Sequence, residues 1–142
     1  EQILGEIGLD MSRFPTPAHL ASWARLCPGN NESAGKHKSG RSGKGNPWLS
    51  STLIEAARAA ARTKDKYLSA QYRRIAARRG SNRAAKAVAH SILVSIHHML
   101  ANGTTYRELG GNYFDNRDHH ATVRRSVRRI ERLGYRVTLE AA

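Results

Sequence analysis

An all-α fold of about five helices is the architecture this sequence predicts, and three observations carry that prediction. Apolar residues recur at helical spacing in successive stretches between Pro17 and Leu133. Glycines close several of these stretches, at Gly80, Gly103 and Gly134. Strand-like alternation is confined to "YRVTL", residues 135–139, which reads as a short C-terminal strand or extended tail. With 142 residues the chain can bury one modest core, rich in Ala, Leu, Ile and Val.

The elements follow in order. "EQILGEIGLD" reads as the last turns of a helix ended at Gly8; lacking an initial Met, the chain is expected to be a piece of something longer. Thr16 caps the next helix and Pro17 suits its first position, with Leu20, Trp23, Ala24 and Cys27 at helical spacing before Pro28-Gly29 stops it. A second core helix, roughly 47–63, starts with Asn46 as cap and Pro47 in the first turn, and carries Trp48, Leu49, Leu53, Ile54, Ala57 and Ala61 on one side. Asp65 is expected to cap a third through Arg79, with Leu68, Tyr72, Ile75 and Ala76 turned inward. Ser81 is expected to cap a fourth, the most buried, through Ala85, Val88, Ala89, Ile92, Leu93, Ile96, Met99 and Leu100. Residues 104–120 read as a turn-rich connector. A last helix from about Ala121 to Leu133 sets Val123, Val127, Ile130 and Leu133 against Arg124, Arg125, Arg128, Arg129 and Arg132. The whole chain, 1–142, is expected to be one domain, with 104–142 as connector and basic C-terminal helix.

Charge bounds the partners. Lys and Arg number 24 against 11 acids, a formal net charge of +13. Between Ser33 and Arg107 the only acids are Glu55 and Asp65. A field of that sign attracts polyanions, nucleic acid above all. The basic helices lack the wide face of large apolar residues that a membrane surface would need. A single cysteine, Cys27, excludes an intrachain disulfide and any multi-cysteine zinc site. His97-His98 and His119-His120 have no carboxylates at ligand spacing. His90 and the His97-His98 pair are expected to be helix histidines with satisfied hydrogen bonds.

The loop between the first two core-packed helices, "GNNESAGKHKSGRSGKGNPW" at 29–48, is the least ordinary stretch. It is not a phosphate-binding P-loop: Gly29 and Gly35 are six apart, and His37 follows Lys36 where Ser or Thr would be required. A flexible linker explains its composition equally well. Yet long loops inside compact domains are usually functional or disordered. This one gathers Lys36, Lys38, Arg41 and Lys44 with the hydroxyls of Ser33, Ser39 and Ser42, and no acid after Glu32. Such a loop can close on a phosphodiester while a hydroxyl attacks. His37 is the one nearby candidate base, and a weak one. Trp23 and Trp48 flank the loop, where they could stack on bases; as tryptophans on helices they are expected instead to lie in the core. From residue chemistry alone the reading stops at a basic helical nucleic-acid-binding module.

The series "SRFPTPAHLASWARLCPG", "ESAGK" and "KGNPWL", in that order and spacing, resembles the C-terminal transposase domain of the insertion-sequence 110/116/902 transposase family. "AARTKDKYLSAQYRRIAARRG", "AVAHSILVSIHHML" and "YRELGGNYFD" extend the resemblance over nearly the whole chain. The resemblance implies a two-part recombinase. Its N-terminal resolvase-like domain, of ribonuclease-H type, holds Mg²⁺ on a DEDD set of acids. Its C-terminal domain supplies a serine that attacks DNA and forms a 5′-phosphoserine link. The motif match gives Ser33 as that serine, with Ser39 and Ser42 in the same loop as alternatives. It gives Lys36, Lys38, Arg41 and Lys44 as phosphate contacts, and Arg73, Arg74, Arg78 and Arg79 are expected to line DNA or RNA.

The acidic domain and an "IPGIG" segment expected before "ILGEIG" are not in this sequence, so no metal or other cofactor site is expected in this chain. Taken alone it is expected to be inactive. Expected partners are DNA, the protein's own N-terminal domain, further copies of the full-length protein and, in members that use one, a guide (bridge) RNA. The expected location is a bacterial-type cytoplasm, at the nucleoid, with no membrane association. The competing reading is a non-catalytic helical binding or assembly module.

Overall fold

The computed structural model describes residues 1–27 and 45–140, together with the backbone of 32–33 and 36–37. Its elements are α1 (Gln2–Ile7), a 3-10 turn (Met11–Arg13), α2 (Pro17–Trp23), β1 (Glu32–Ser33), β2 (Lys36–His37), α3 (Pro47–Ala61), α4 (Tyr67–Arg79), α5 (Ser81–Asn102), α6 (Tyr113–Arg117) and α7 (His119–Glu131). The fold is all-α apart from the two-residue strands.

Helix α5 is the axis of the bundle: α2, α3 and α4 all pack on it, α1 leans on α3, and α6 leans on α4. Its apolar stripe runs through Ala85, Val88, Ala89 and Leu93, all fully buried. Facing it are Leu20 of α2 and Leu49, Leu53 and Ala57 of α3. Much of this contact is alanine, which lets helix backbones approach closely, as the composition suggested. Gly80 (φ 84°) is both the last cap of α4 and the first of α5, so one residue turns the chain between two long helices. Its positive φ is where an L side chain would be strained.

Capping explains where the helices start, and it departs from expectation in two places. Thr16 and Asn46 cap α2 and α3 as the sequence implies: Thr16 accepts from the His19 N–H, and Asn46 Oδ1 from the N–H groups of Trp48 (3.0 Å) and Leu49 (3.2 Å). Asp65, by contrast, has a left-handed backbone (φ 52°) and caps nothing. The Tyr67 N–H instead donates to Glu108 Oε1 at 2.7 Å, a carboxylate from the far connector that also accepts from Gly110 N–H at 2.9 Å. Ser81 is the first residue of α5 and makes no side-chain cap bond.

Other boundaries shift for similar local reasons. Helix α2 stops at Trp23 because Arg25 turns left-handed (φ 54°). The connector contains a helix, α6, whose Tyr113 and Phe114 rings both pack against Tyr67 with centroids 5.1 Å away. The last helix begins at His119. Residues 135–140 form no strand; among the described residues no neighbouring strand is there to pair with them.

His97 is buried on α5, and its Nε2 donates to the Phe14 carbonyl at 2.7 Å, tying α5 to the segment before α2. Its Nδ1 has no partner among the described residues, so the expectation of fully satisfied helix histidines holds there for one ring nitrogen only.

Candidate nucleic-acid interface

The loop expected to carry the chemistry is anchored by both of its stems. Gly45 lies so close to the end of α2 that an added Cβ would sit 2.6 Å from Arg25 Cβ and 2.8 Å from the Ala24 carbonyl oxygen. Just beyond it, Asn46 caps α3 with its oxygen while its Nδ2 donates to Glu6 of α1. The described residues on the two sides of the loop, Ala24–Arg25 and Gly45, are therefore in contact with each other.

Within that segment the backbone pairs Glu32–Ser33 with Lys36–His37 as an antiparallel hairpin, in a register that sets Ser33 opposite Lys36 and Glu32 opposite His37. The sequence reading gave this loop no strand. The side chains of Ser33, Lys36 and His37, and all of Lys38, Ser39, Arg41, Ser42 and Lys44, lie outside the described residues.

The four arginines of α4 divide into two pairs. Arg73 Nη2 donates to the Thr63 carbonyl at 3.1 Å, satisfying a backbone oxygen just past the end of α3. Arg74 lies over the Phe114 ring, 5.1 Å from its centroid, and approaches Asp115 Oδ1 at 4.0 Å. Arg74 thus helps to dock the α6 segment, and both arginines line a hollow of about 280 Å³ with Asp65, Ser69, Asn112 and Asp115. Arg78 and Arg79, in the last turn of α4, are exposed.

Helix α7 presents Arg124, Arg125, Arg128 and Arg129 to solvent and, of the described helices, packs on α6 alone. No residue of α7 is buried. Its apolar stripe therefore contributes little to the core, and Ile130 is exposed.

Both tryptophans depart from expectation. Trp23 is 42% exposed, resting on Phe14 with ring centroids 5.4 Å apart. Trp48 is 77% exposed on the first turn of α3. The reason is register: Leu49, Leu53 and Ala57 take the buried stripe of α3, and Trp48 is rotated about 100° from Leu49. The sequence signal was present in that spacing, since Leu49-Leu53-Ala57 is the stronger i, i+4, i+8 series.

Among the described residues no three His, Cys, Asp or Glu side chains come together as a metal site. No helix among them is long and apolar enough to cross a membrane.

A model of the transposase IS116/IS110/IS902 family matches residues 1–73, from α1 into α4. No curated protein and no solved structure matches the chain.

Proposed function

Because the chain belongs to the IS116/IS110/IS902 transposase family, we propose that it is the part of a DNA transposase that supplies the nucleophile for strand cleavage and rejoining. The observation that carries this reading is the extent of the family match. It spans the whole 28–44 segment together with both anchoring stems. In this reading Ser33 Oγ attacks a DNA phosphorus; an Oγ–P bond forms as the bond to the 3′ oxygen breaks. The serine proton ends on the departing 3′ hydroxyl, and the DNA stays joined to the protein as a 5′-phosphoserine. A 3′ hydroxyl from another strand then attacks that phosphorus and returns the proton to serine. The phosphodiester energy is kept throughout, so no nucleotide cofactor is required.

Lys36, Lys38, Arg41 and Lys44 act as phosphate contacts that offset charge in this transfer. The exposed Arg78 and Arg79 extend the contact to neighbouring phosphates. The described residues offer no carboxylate set for Mg²⁺. Acids that hold it belong, in this reading, to a resolvase-like domain of the same protein or of a second copy. This chain by itself binds DNA without completing strand transfer, and a guide RNA is a further partner where the element encodes one.

The test uses protein carrying this chain together with the acidic domain, labelled target DNA and Mg²⁺, and scores a denaturant-resistant protein–DNA adduct. Ser33→Ala is expected to abolish the adduct while DNA binding persists. An adduct that survives in Ser33→Ala and vanishes in Ser39→Ala or Ser42→Ala moves the nucleophile within the loop. Strand transfer with no adduct in any of these proteins makes the loop a clamp and the chain a binding module.

A further inference from the structure

We propose that Trp48 is a stacking platform for an unpaired DNA base. The inference rests on the DNA-binding reading above and adds a ligand and a residue to it.

Of the large apolar side chains described as exposed, Trp48 is the most exposed, at 77%. That exposure is built into the fold. Asn46 Oδ1 accepts from Trp48's own N–H at 3.0 Å, and Pro47 occupies the first helical turn. The next residue, Leu49, is wholly buried against the core. Rotating α3 to bury the indole would pull Leu49, Leu53 and Ala57 out of contact with α5. The backbone under Trp48 is thus pinned while its ring stays in water.

The neighbours of Trp48 select the kind of ligand. A face for docking another protein would continue apolar along the helix at i+3, i+4 and i+7. Here those positions are Ser51, Thr52 and Glu55, and the Thr52 hydroxyl is directed to Gln2 Oε1 at 3.4 Å. What remains, among the described residues of α3, is a flat aromatic surface with polar neighbours along the helix. It lies two residues beyond Asn46, where the cation-rich 28–44 segment rejoins the bundle. Single strands are held without sequence preference where an exposed ring takes a base and cations take the backbone, and the chain's excess of Lys and Arg, 24 against 11 acids, supplies the cations. An unpaired base fits because in a duplex both faces of each base are already stacked. Trp23 is the poorer candidate, since Phe14 already packs on its ring.

The chain has two tryptophans, so Trp23→Phe leaves Trp48 as the only indole emitter. Oligothymidylate added to the full Trp23→Phe chain is expected to quench that emission, and heparin, a polyanion without bases, to leave it unchanged. Binding is followed in parallel by anisotropy of a labelled oligothymidylate. There Trp48→Ala is expected to weaken affinity between about 5-fold and 100-fold, and Trp48→Phe to retain most of it. Oligothymidylate binding with unchanged emission, or unchanged affinity in Trp48→Ala, overturns the inference and leaves the DNA-binding reading intact. Equal quenching by heparin also overturns it, because the response is then electrostatic. Quenching by oligouridylate alone overturns the assignment to DNA. If neither oligothymidylate nor duplex binds the wild-type chain, the DNA-binding reading fails and the inference with it.

Discussion

Among the described glycines, Gly45 makes the tightest approach to another segment, and the reason is steric. Its missing Cβ leaves room for the Ala24 carbonyl and the Arg25 stem, which would otherwise be met at 2.8 Å and 2.6 Å. Arg25 could swing aside, but a backbone carbonyl cannot move without shifting the end of α2. Gly45→Ala is therefore expected to destabilise the domain by about 1–3 kcal/mol, the usual range for forced overpacking. Urea unfolding followed by helical circular dichroism checks it; an unchanged midpoint would show that the two stems are not in contact. The same change is expected to reduce adduct formation more than simple DNA binding, because it moves the base of the loop rather than its cations. None of this was legible beforehand. The glycine was one of five between Gly29 and Gly45, and spacing gives no sign of which of them abuts another segment.

Helices α2 and α3 were legible because local and tertiary signals agree in them: a capping residue, Pro in the first turn and a single apolar stripe point the same way; α5, which has no side-chain cap, was legible from its long apolar stripe. Helix α4 was legible in extent but not in its beginning. Its cap comes from Glu108, across 41 residues, a tertiary bond that no local pattern encodes. Partial burial pushes the Glu108 carboxyl up. The N–H donors of Tyr67 and Gly110 and the charge of Lys66 outweigh that, and hold it below its ordinary value of 4.5. A carboxylate whose folded-state value is lowered stabilises the fold above the unfolded value, and loses that contribution as pH falls through the folded one. Glu108→Gln keeps an acceptor oxygen and removes the charge. It is expected to lower stability near neutral pH by about 0.5–1 kcal/mol, solvent screening keeping the effect small. The gap between variant and wild type is expected to close as the solution is acidified below 4.5, which urea midpoints across a pH series would reveal. A gap constant with pH would mean that shape, not charge, makes the cap. Helix α6 was missed for a related reason. Its two aromatic residues read as connector until Tyr67 is brought against them.

At the scale of the whole molecule, a net charge of +13 makes attraction to DNA unsurprising, so the useful question is which cations lose counterions to it. The structure separates them. Arg73 and Arg74 are engaged with Thr63, Phe114 and Asp115, whereas Arg78 and Arg79 stand free of carboxylates among the described residues. Replacing Arg78 and Arg79 together by Ala is expected to leave unfolding unchanged. If each meets one phosphate, the slope of log affinity against log salt for duplex DNA falls by about 1.8, since each neutralised phosphate contributes about 0.9. Replacing Arg74 by Ala is expected to behave differently. It removes a ring contact and an exposed ion pair that dock α6 on α4, lowering stability by about 1 kcal/mol, and it changes the salt slope less per arginine. Titrations of labelled duplex at several salt concentrations, paired with unfolding curves, measure both quantities on the same proteins. A slope unmoved by Arg78→Ala/Arg79→Ala would take the end of α4 out of the interface. The arginine face of α7 would then be the next surface to neutralise, since it too is exposed and, of the described helices, α7 packs on α6 alone.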